Sequence, residues 1–243
     1  IGHLQGEFAA DYLGIPATLG IVHLRYGEAH FVDDGRIRHS QVQFDLIDLM
    51  RQAGVWPLPA SLGTEGMWPG PATQDGLRLD HTSRDDSDSL ATVFRMHNAL
   101  LSFDGKTLQS MPHAEFWTPD FMYYAGGGIG MMRGMDGFHA HHQIPFLRAF
   151  PDRSGRGHFI RIADGPYAVT GGIVFGTHRG EFLGMPGTGR VIDIPVMDFY
   201  RLDATGRIAE NWLPIDILGI AHQMGNDLLA RVRHYRGQPR RTL

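Results

Sequence analysis

The interpretation of this chain starts from residues 182–225, FLGMPGTGRVIDIPVMDFYRLDATGRIAENWLPIDILGIAHQMG. A matching stretch occupies residues 12–54, YLGIPATLGIVHLRYGEAHFVDDGRIRHSQVQFDLIDLMRQAG. The matches fall in register, because LGIPAT at 13–18 meets LGMPGT at 183–188 and GRI follows in both copies. Such self-similarity predicts two copies of one structural module.

The two copies differ in what precedes them. A long segment, with a helix starting near Asp86, lies ahead of the second copy, whereas the first copy follows closely on Ile1. We therefore expect residues 85–230 to form a complete domain. Residues 1–55 are expected to form the C-terminal half of a first domain that is trimmed or completed elsewhere.

Two further segments are set apart by composition. Residues 56–84 begin WPLPASLGTEGMWPGP, and this Pro- and Gly-rich stretch predicts a linker or a loop that follows the surface. Residues 231–243 are rich in arginine. A solvated tail is the simpler interpretation of that segment, and anion binding is the alternative.

Composition excludes several classes of protein. The 243 residues are 42% hydrophobic and 20% charged, which is typical of a folded chain, and no apolar run is long enough to span a bilayer. A net charge of −4 argues against a nucleic-acid partner. The chain has no cysteine, which excludes thiol catalysis and disulfides, and its start lacks signal-peptide features. We expect a cytoplasmic protein without membrane or nucleic-acid partners.

The order of predicted elements indicates the fold class. Apolar residues at helical spacing follow Asp86, and a second helix disturbed by Pro145 is predicted near 138–150. Strands are predicted at 116–124, 159–163, 167–175, 190–202 and 207–213, before a last helix at Asp216. Helices followed by strands in meander order predict an α+β fold, with a curved antiparallel sheet wrapped around N-terminal helices and a cavity at its mouth.

The segments LGMPGTGR, VMDFYRLD, GRIAENW and GIAHQMG resemble the SnoaL-like polyketide cyclase family of the NTF2-like superfamily. FHAHHQIPFLRAFPD, residues 138–152, is similar to the family's second helical region. The resemblance covers 85–230 as a whole module and 1–55 as a half, and so implies NTF2-like cones in tandem. It also implies a deep pocket for a hydrophobic small molecule, a homodimer, and cofactor- and metal-free acid/base chemistry on a carbonyl compound. In the cyclases that chemistry is an intramolecular aldol closure, and related members are isomerases.

The sequence departs from the family pattern at two positions. Cyclase-like members often carry an aspartate directly after the Trp of the E-x-W motif, where this chain has Leu213. The position that matches the cyclases' active-site histidine is Asp198. An enzyme with a relocated acid, a non-catalytic small-molecule binding protein and a scaffold with a vestigial pocket all remain open, and Leu213 favours the last two.

Strand alternation places the candidate acid. With Leu202 facing Arg207 across the turn, Asp198 lies opposite Asn211, on the face that also carries Tyr200. We assign this face, which also carries Leu213, to the cavity, so Tyr200 and Leu213 are expected to contact the substrate. A register slip of one residue would reverse the assignment. The opposite face, which we assign to a partner surface, carries Met197, Phe199, Glu210 and Trp212.

Asp198 is the predicted catalytic acid or base, with Asn211 orienting it. Burial in an apolar cavity raises the pKa of a carboxyl by up to ~3–5 units, toward the pH where a general base is most effective. The alternative is a strand aspartate that pairs with Arg201, Arg161 or Asn211 for stability alone. The sequence leaves both interpretations open.

Further residues are candidates for the pocket. Of the neighbouring histidines His139, His141 and His142, the last lies on an aromatic stripe and is expected to line the pocket. A metal site is not expected, because His141 points elsewhere and no HExxH motif is present. Trp117 and Tyr123 share a strand face and are expected to line the cavity, with ordinary core as the alternative.

The remaining candidates lie in a loop and in the first copy. Residues 126–128 are predicted to form a flexible pocket rim from which Arg133 reaches a ligand carbonyl or carboxylate. In the first copy, the same pairing scheme puts Glu28 opposite His39, as a proton relay or a plain cross-strand pair. Asp45 and Asp216 recur before helical segments and are expected to be N-caps.

Overall fold

The structure is a computed structural model that describes residues 1–76 and 87–236. Residues 77–84 of the expected linker, the helix start predicted near Asp86 and residues 237–243 of the arginine-rich tail lie outside the described residues. The strands are β1 (Gly2–Glu7), β2 (Ile21–Asp33), β3 (Arg36–Phe44), β4 (Trp117–Ala125), β5 (Met131–Arg133), β6 (Ser154–Asp164), β7 (Tyr167–Thr177), β8 (Val191–Leu202) and β9 (Ile208–Leu213). The helices are α1 (Leu46–Gln52), α2 (Ser87–Leu100), α3 (His113–Phe116), α4 (Gly134–Phe138), α5 (Ile144–Ala149), α6 (Ile217–Gln223) and α7 (Leu228–Arg236).

The main sheet contains the predicted meander. Its six strands follow the order β5-β4-β9-β8-β7-β6, and β6 to β9 are antiparallel neighbours in sequence order. However, β4 runs parallel to β9, so the sheet is mixed rather than purely antiparallel as predicted. A parallel pair needs a long crossover, which the helices and strands between β4 and β9 provide. Helix α2 packs on β6 and β7 and covers one face of the sheet.

The helix disturbed by Pro145 is interrupted as predicted. Helix α4 continues into a π-helical turn, His139–Gln143, and then into α5. Proline has no N–H to donate to the helical ladder, and the wider turn lies directly before it. This turn keeps the expected stripe together, because the ring of His142 lies 5.2 Å from that of Phe138 and 5.8 Å from that of Phe146.

The internal repeat is also present in the local structure. An isolated bridge joins Tyr12 to Ile15 in the first copy, and the corresponding bridge joins Phe182 to Met185 in the second. In each bridge the leucine that follows the aromatic residue has a positive φ, which is uncommon outside glycine: 53° at residue 13 and 50° at residue 183. The two copies therefore share a backbone turn that their sequences alone did not specify.

The predicted helix caps are present in both copies. The Asp45 side chain accepts from the amide of Asp48, and the Asp216 side chain accepts from the amide of Gly219. In the first copy, β1, β2 and β3 form a separate three-stranded sheet. These similarities are local, and the assignment of 1–55 as half of a tandem domain stays a prediction.

The face of the main sheet that carries Phe199 and Trp212 is covered by residues 1–76 of the same chain. Gly27 of β2 lies so close that an added Cβ would be 2.5 Å from Pro214 Cγ and 3.1 Å from Phe199 Cε2. Trp212 Nε1 donates to the Pro69 carbonyl at 3.0 Å. The expected partner surface is thus an intramolecular contact, and residues 56–76 follow the surface instead of linking separate bodies.

The glycine-rich turn at 126–130 is buried, and the prediction of a flexible pocket rim is wrong. The amide of Gly127 donates to Asp45 Oδ2 at 2.8 Å, and that of Gly128 donates to Glu65 Oε1 at 2.8 Å. A Cβ on Gly127 would approach Ile47 Cγ2 to 2.7 Å. Because glycine has no side chain, α1 can pack closely against the turn at 126–130.

Within the described ranges 1–76 and 87–236, none of the helices combines the length and the apolar stretch that crossing a bilayer requires.

Candidate functional site

The hairpin of β8 and β9 presents the candidate acid on the predicted face but in a different register. Leu202 pairs with Ile208 instead of Arg207, and Tyr200 instead of Asp198 lies opposite Asn211. The turn shifts the pairing by one position, and a register irregularity between Arg201 and Leu202 shifts it by one more. Because the central strands are offset by two positions, the alternation of faces is unchanged, and Asp198 still shares a face with Tyr200 and Asn211.

Asp198 is half-buried and faces a cavity. Asn211 Nδ2 donates to Asp198 Oδ1 at 3.1 Å, so the predicted contact is made along the diagonal between the strands. Burial raises the pKa of Asp198 to about 7, while hydrogen bonds from Asn211 and Tyr200 act in the opposite direction. The carboxyl is therefore near half-ionised at neutral pH and can both accept and return a proton.

A hydrogen-bonded chain connects Asp198 to α2. Tyr200 hydrogen-bonds with Asp198, and its hydroxyl lies 3.0 Å from His97 Nε2. The His97 ring stacks on that of His158, with centroids 4.9 Å apart and planes 3° from parallel. Burial, followed by the charge of His158, lowers the pKa of His97 to about 4, so this histidine is neutral at pH 7. His97 and Tyr200 next to Asp198 are thus both uncharged at pH 7. Tyr200 itself does not line the cavity that Asp198 faces, so its expected contact with a ligand is not found there.

The cavity in front of Asp198 has a volume of about 320 Å³. Strands β6, β7 and β8 form one wall, and the end of α2 with Arg153 forms the other. Its polar side chains include Asp198, His97, His158, Thr170 and Arg153. An ionisable carboxyl in a cavity of this size is an arrangement suited to proton transfer on a small bound molecule.

Tyr123 and His142 lie beneath the cavity in the core. The Tyr123 hydroxyl is 3.2 Å from His142 Nε2, and Tyr123 is close enough to Asp198 for that carboxylate to raise its pKa further, after burial. Burial lowers the pKa of His142 to about 3. Neither residue lines the cavity. His142 therefore supports Tyr123, and its expected direct contact with a ligand is not found in this arrangement.

Three other predicted ligand contacts lie away from the cavity. Trp117 is buried against Phe138, and Leu213 is buried in the same hydrophobic core. Both side chains take the core position that was the alternative. Arg133 is exposed on the edge strand β5, 3.7 Å from Asp120, so it does not reach a ligand in this cavity. Burial drives the two apolar residues inward, whereas the short edge strand leaves Arg133 in solvent.

The expected pairing in the first copy is wrong. Glu28 lies opposite Val42, and Phe31 lies opposite His39, because a register shift follows Phe31. Glu28 instead approaches His30 on its own strand, with Oε2 3.3 Å from Nε2. As for metals, no group of three or more His, Asp or Glu in the described part of the chain is arranged to hold an ion.

His97, His158 and Arg153 line the cavity but were not predicted to do so from the sequence. His97 appeared only as part of the apolar stripe of α2, and nothing distinguished it from a core histidine. Arg153 directly precedes β6 and His158 lies within it, and both reach the cavity through tertiary packing. The sequence signal available was a polar residue within an otherwise apolar helical stripe. It applies to His97 but not to His158 or Arg153.

Comparison with known proteins identifies the family of a part of the chain that includes most of the second copy. A family model described as SnoaL-like polyketide cyclase matches residues 92–224. A solved structure from Jannaschia sp. CCS1, provisionally named a SnoaL-like polyketide cyclase, is 20% identical with a TM-score of 0.51, covering 60% of this chain and 96% of its own. IdmH of Streptomyces antibioticus, provisionally named a polyketide cyclase, is 25% identical with a TM-score of 0.44, covering 58% and 99%.

An NTF2-like protein from Burkholderia xenovorans LB400 is 14% identical, with a TM-score of 0.45 and coverage of 58% and 98%. No curated protein sequence matches this chain. The family match and the Jannaschia structure confirm the predicted α+β fold of the NTF2-like type for the part of the chain around residues 92–224.

Proposed function

Since the chain belongs to the SnoaL-like polyketide cyclase family, we propose that it is an acid/base enzyme of the cyclase or isomerase type, acting on a hydrophobic carbonyl compound. The observation that carries the proposal is the half-buried carboxyl of Asp198, which faces a cavity and has its pKa raised to about 7 by burial. Perturbed carboxyls in cavities are candidates for catalysis on physical grounds.

The proposed chemistry begins with proton abstraction. The Asp198 carboxylate removes a proton from the carbon next to the substrate carbonyl, and the C–H electron pair forms an enolate. In a cyclase, the enolate carbon bonds to a second carbonyl carbon of the same molecule, and Asp198 returns its proton to the new alkoxide. In an isomerase, Asp198 returns the proton to another carbon. No metal or cofactor is needed for either route.

The surrounding residues have distinct parts in this scheme. Asn211 holds the Asp198 carboxyl by its 3.1 Å hydrogen bond. The Tyr200 hydroxyl, fixed by His97 at 3.0 Å, hydrogen-bonds with Asp198 as a neutral group and helps to orient it. Tyr123, which hydrogen-bonds with His142, lies near Asp198 in the core without lining the cavity. These residues position Asp198 or the substrate, and Asp198 itself moves the proton.

The alternative is a non-catalytic small-molecule binding protein with the same cavity. The observation that favours it is Leu213, which is buried in the core at the position where cyclase-like members often have an aspartate. A chain that only binds ligands does not transfer protons at this site. Measuring proton exchange therefore separates the two functions.

We expect the protein to catalyse loss of deuterium from α-deuterated 4-phenyl-2-butanone in water, followed by proton NMR. Because the carboxylate form of Asp198 is the base, the rate above buffer background should rise with pH through about 7 and then level off. Absence of exchange above background across this range supports the binding protein. A pH-independent rate contradicts the assignment of Asp198.

A further inference from the structure

Arg153 lines the same cavity as Asp198 and is held by neutral groups. Its Nη2 donates to the Leu100 carbonyl at 2.9 Å and contacts Met111 Sδ at 3.3 Å. Among residues 1–76 and 87–236, no carboxylate forms an ion pair with it. The adjacent Asp152 is turned away, because its two carboxylate oxygens accept from Thr177 at 2.7 and 2.6 Å.

The guanidinium of Arg153 is therefore a charge without a counter-charge. Burial lowers its pKa to about 10, which still leaves it protonated at neutral pH. Burial lowers the pKa of His113 to about 4 and that of His142 to about 3, and the charge of Arg153 lowers both further. Removing a cation from water costs free energy unless an anion or hydrogen bonds compensate, and here two neutral acceptors do so only in part.

The two ends of the cavity differ in charge. Asp198 lies opposite Thr170 of β7. Arg153 directly precedes Ser154, which lies opposite Phe175, further along the same strand. The two side chains therefore occupy separate parts of the lining. A ligand carboxylate next to Asp198 would be repelled by its ionised form, whereas next to Arg153 it would replace the missing counter-ion. A guanidinium is well suited to bind a carboxylate through two parallel hydrogen bonds.

We propose, on the basis of the acid/base function above, that Arg153 forms an anionic subsite and that the substrate is a keto acid. Its carboxylate binds the Arg153 guanidinium, and its ketone and adjacent C–H group lie at Asp198. The apolar part of the molecule lies between them along Val174 and Val196. Arg153 thereby selects carbonyl compounds that carry a carboxylate and fixes which carbon Asp198 deprotonates.

The test uses a matched pair of probes, 4-oxo-4-phenylbutanoate and its primary amide, with binding measured by titration calorimetry at pH 8. We expect the wild-type protein to bind the acid about tenfold or more tightly than the amide, the difference typical of a hydrogen bond to a charged group. Arg153→Met should reduce acid binding to the level of the amide and leave amide binding unchanged. Arg153→Lys should keep part of the preference.

Arg156→Met is the matched control. It removes the same charge from an exposed arginine on β6, which pairs with Asp193 at 3.0 Å, and should keep the full preference for the acid. The proposal is overturned if the wild type shows no preference, including by binding neither probe, or if the preference survives Arg153→Met. Should that variant not fold, an undiminished preference in Arg153→Lys overturns it.

Failure of the acid/base function gives a different result. Absent proton exchange on the neutral ketone, together with a preference for the acid that depends on Arg153, refutes catalysis and keeps the anionic subsite. Exchange that depends on Asp198, without any preference for the acid, keeps the catalytic assignment and refutes the subsite.

Discussion

Asp198→Asn is expected to lower the rate of α-proton exchange by about 10²–10⁴-fold, the usual contribution of a positioned general base. Asparagine has nearly the same shape and can still hydrogen-bond with Asn211 and Tyr200, but it cannot take a proton at neutral pH. Binding of 4-phenyl-2-butanone should therefore change little. Exchange is measured by proton NMR and binding by calorimetry on the same preparation.

The control for this substitution is Asp193→Asn on the same strand. Asp193 is exposed and pairs with Arg156, so its replacement should leave exchange unchanged. Equal rates in wild type and Asp198→Asn would refute the assignment of Asp198. Loss of both exchange and binding in a folded Asp198→Asn variant would mark the carboxyl as a binding group instead of a base.

The stability of Asp198→Asn gives a second, independent result. The pKa of Asp198 rises from its ordinary value of 3.8 to about 7 on folding, so between these pH values the folded protein keeps a proton that the unfolded chain has lost. Wild-type stability therefore falls as pH rises from about 4 to about 7, and the loss is complete above that range. Asparagine does not titrate. The variant should be more stable than wild type at pH 8, on the order of 1–3 kcal/mol, and about equal to it at pH 4.

Arg25→Met is expected to cause the largest loss of stability, about 3–5 kcal/mol at pH 8. Arg25 is fully buried, and its guanidinium contacts Asp45 Oδ2 at 2.7 Å and Glu65 Oε2 at 3.1 Å, with Asp48 Oδ1 at 3.6 Å. Methionine fills much of the volume but leaves these carboxylates without a cation. Their burial then disfavours the ionised forms, as it already does for Asp48, whose pKa burial raises.

Chemical denaturation at two pH values tests this expectation. The loss should be smaller at pH 5 than at pH 8, because carboxyls with raised pKa values take up protons at the lower pH and no longer need a cation. Arg38→Met is the matched control, since Arg38 is exposed and lies 3.5 Å from exposed Asp33, and it should change stability by less than about 0.5 kcal/mol. A loss of stability no larger than that of Arg38→Met would show that Arg25 and its three carboxylates do not stabilise the packing of residues 1–76.

The sequence predicted the parts of the fold that depend on alternation and local chemistry. Asp198, Tyr200 and Asn211 share a face of β8 and β9 as predicted, because side chains alternate along strands and the pairing differs from the predicted one by an even number of positions. The exact partner of Asn211 was wrong because a bulge between Arg201 and Leu202 leaves no signature in the residues themselves. Helix caps at Asp45 and Asp216 were predictable because capping depends on neighbours only a few positions away.

The parts that were missed depend on contacts between distant segments. The burial of the glycine-rich turn follows from Asp45 and Glu65, which come from far earlier in the chain. His97 and Arg153 join Asp198 only when α2 packs across the sheet. A single sequence does not show which of its many arginines lacks a counter-ion, because that is a property of the folded neighbourhood.

The most direct test of the account is a carbon-13 NMR titration of the Asp198 side-chain carboxyl, assigned by its disappearance in Asp198→Asn. The account predicts a midpoint near pH 7, because burial in the cavity disfavours the ionised form. A midpoint near pH 4, the ordinary value for an exposed aspartate, would contradict it and remove the base on which the proposed chemistry depends.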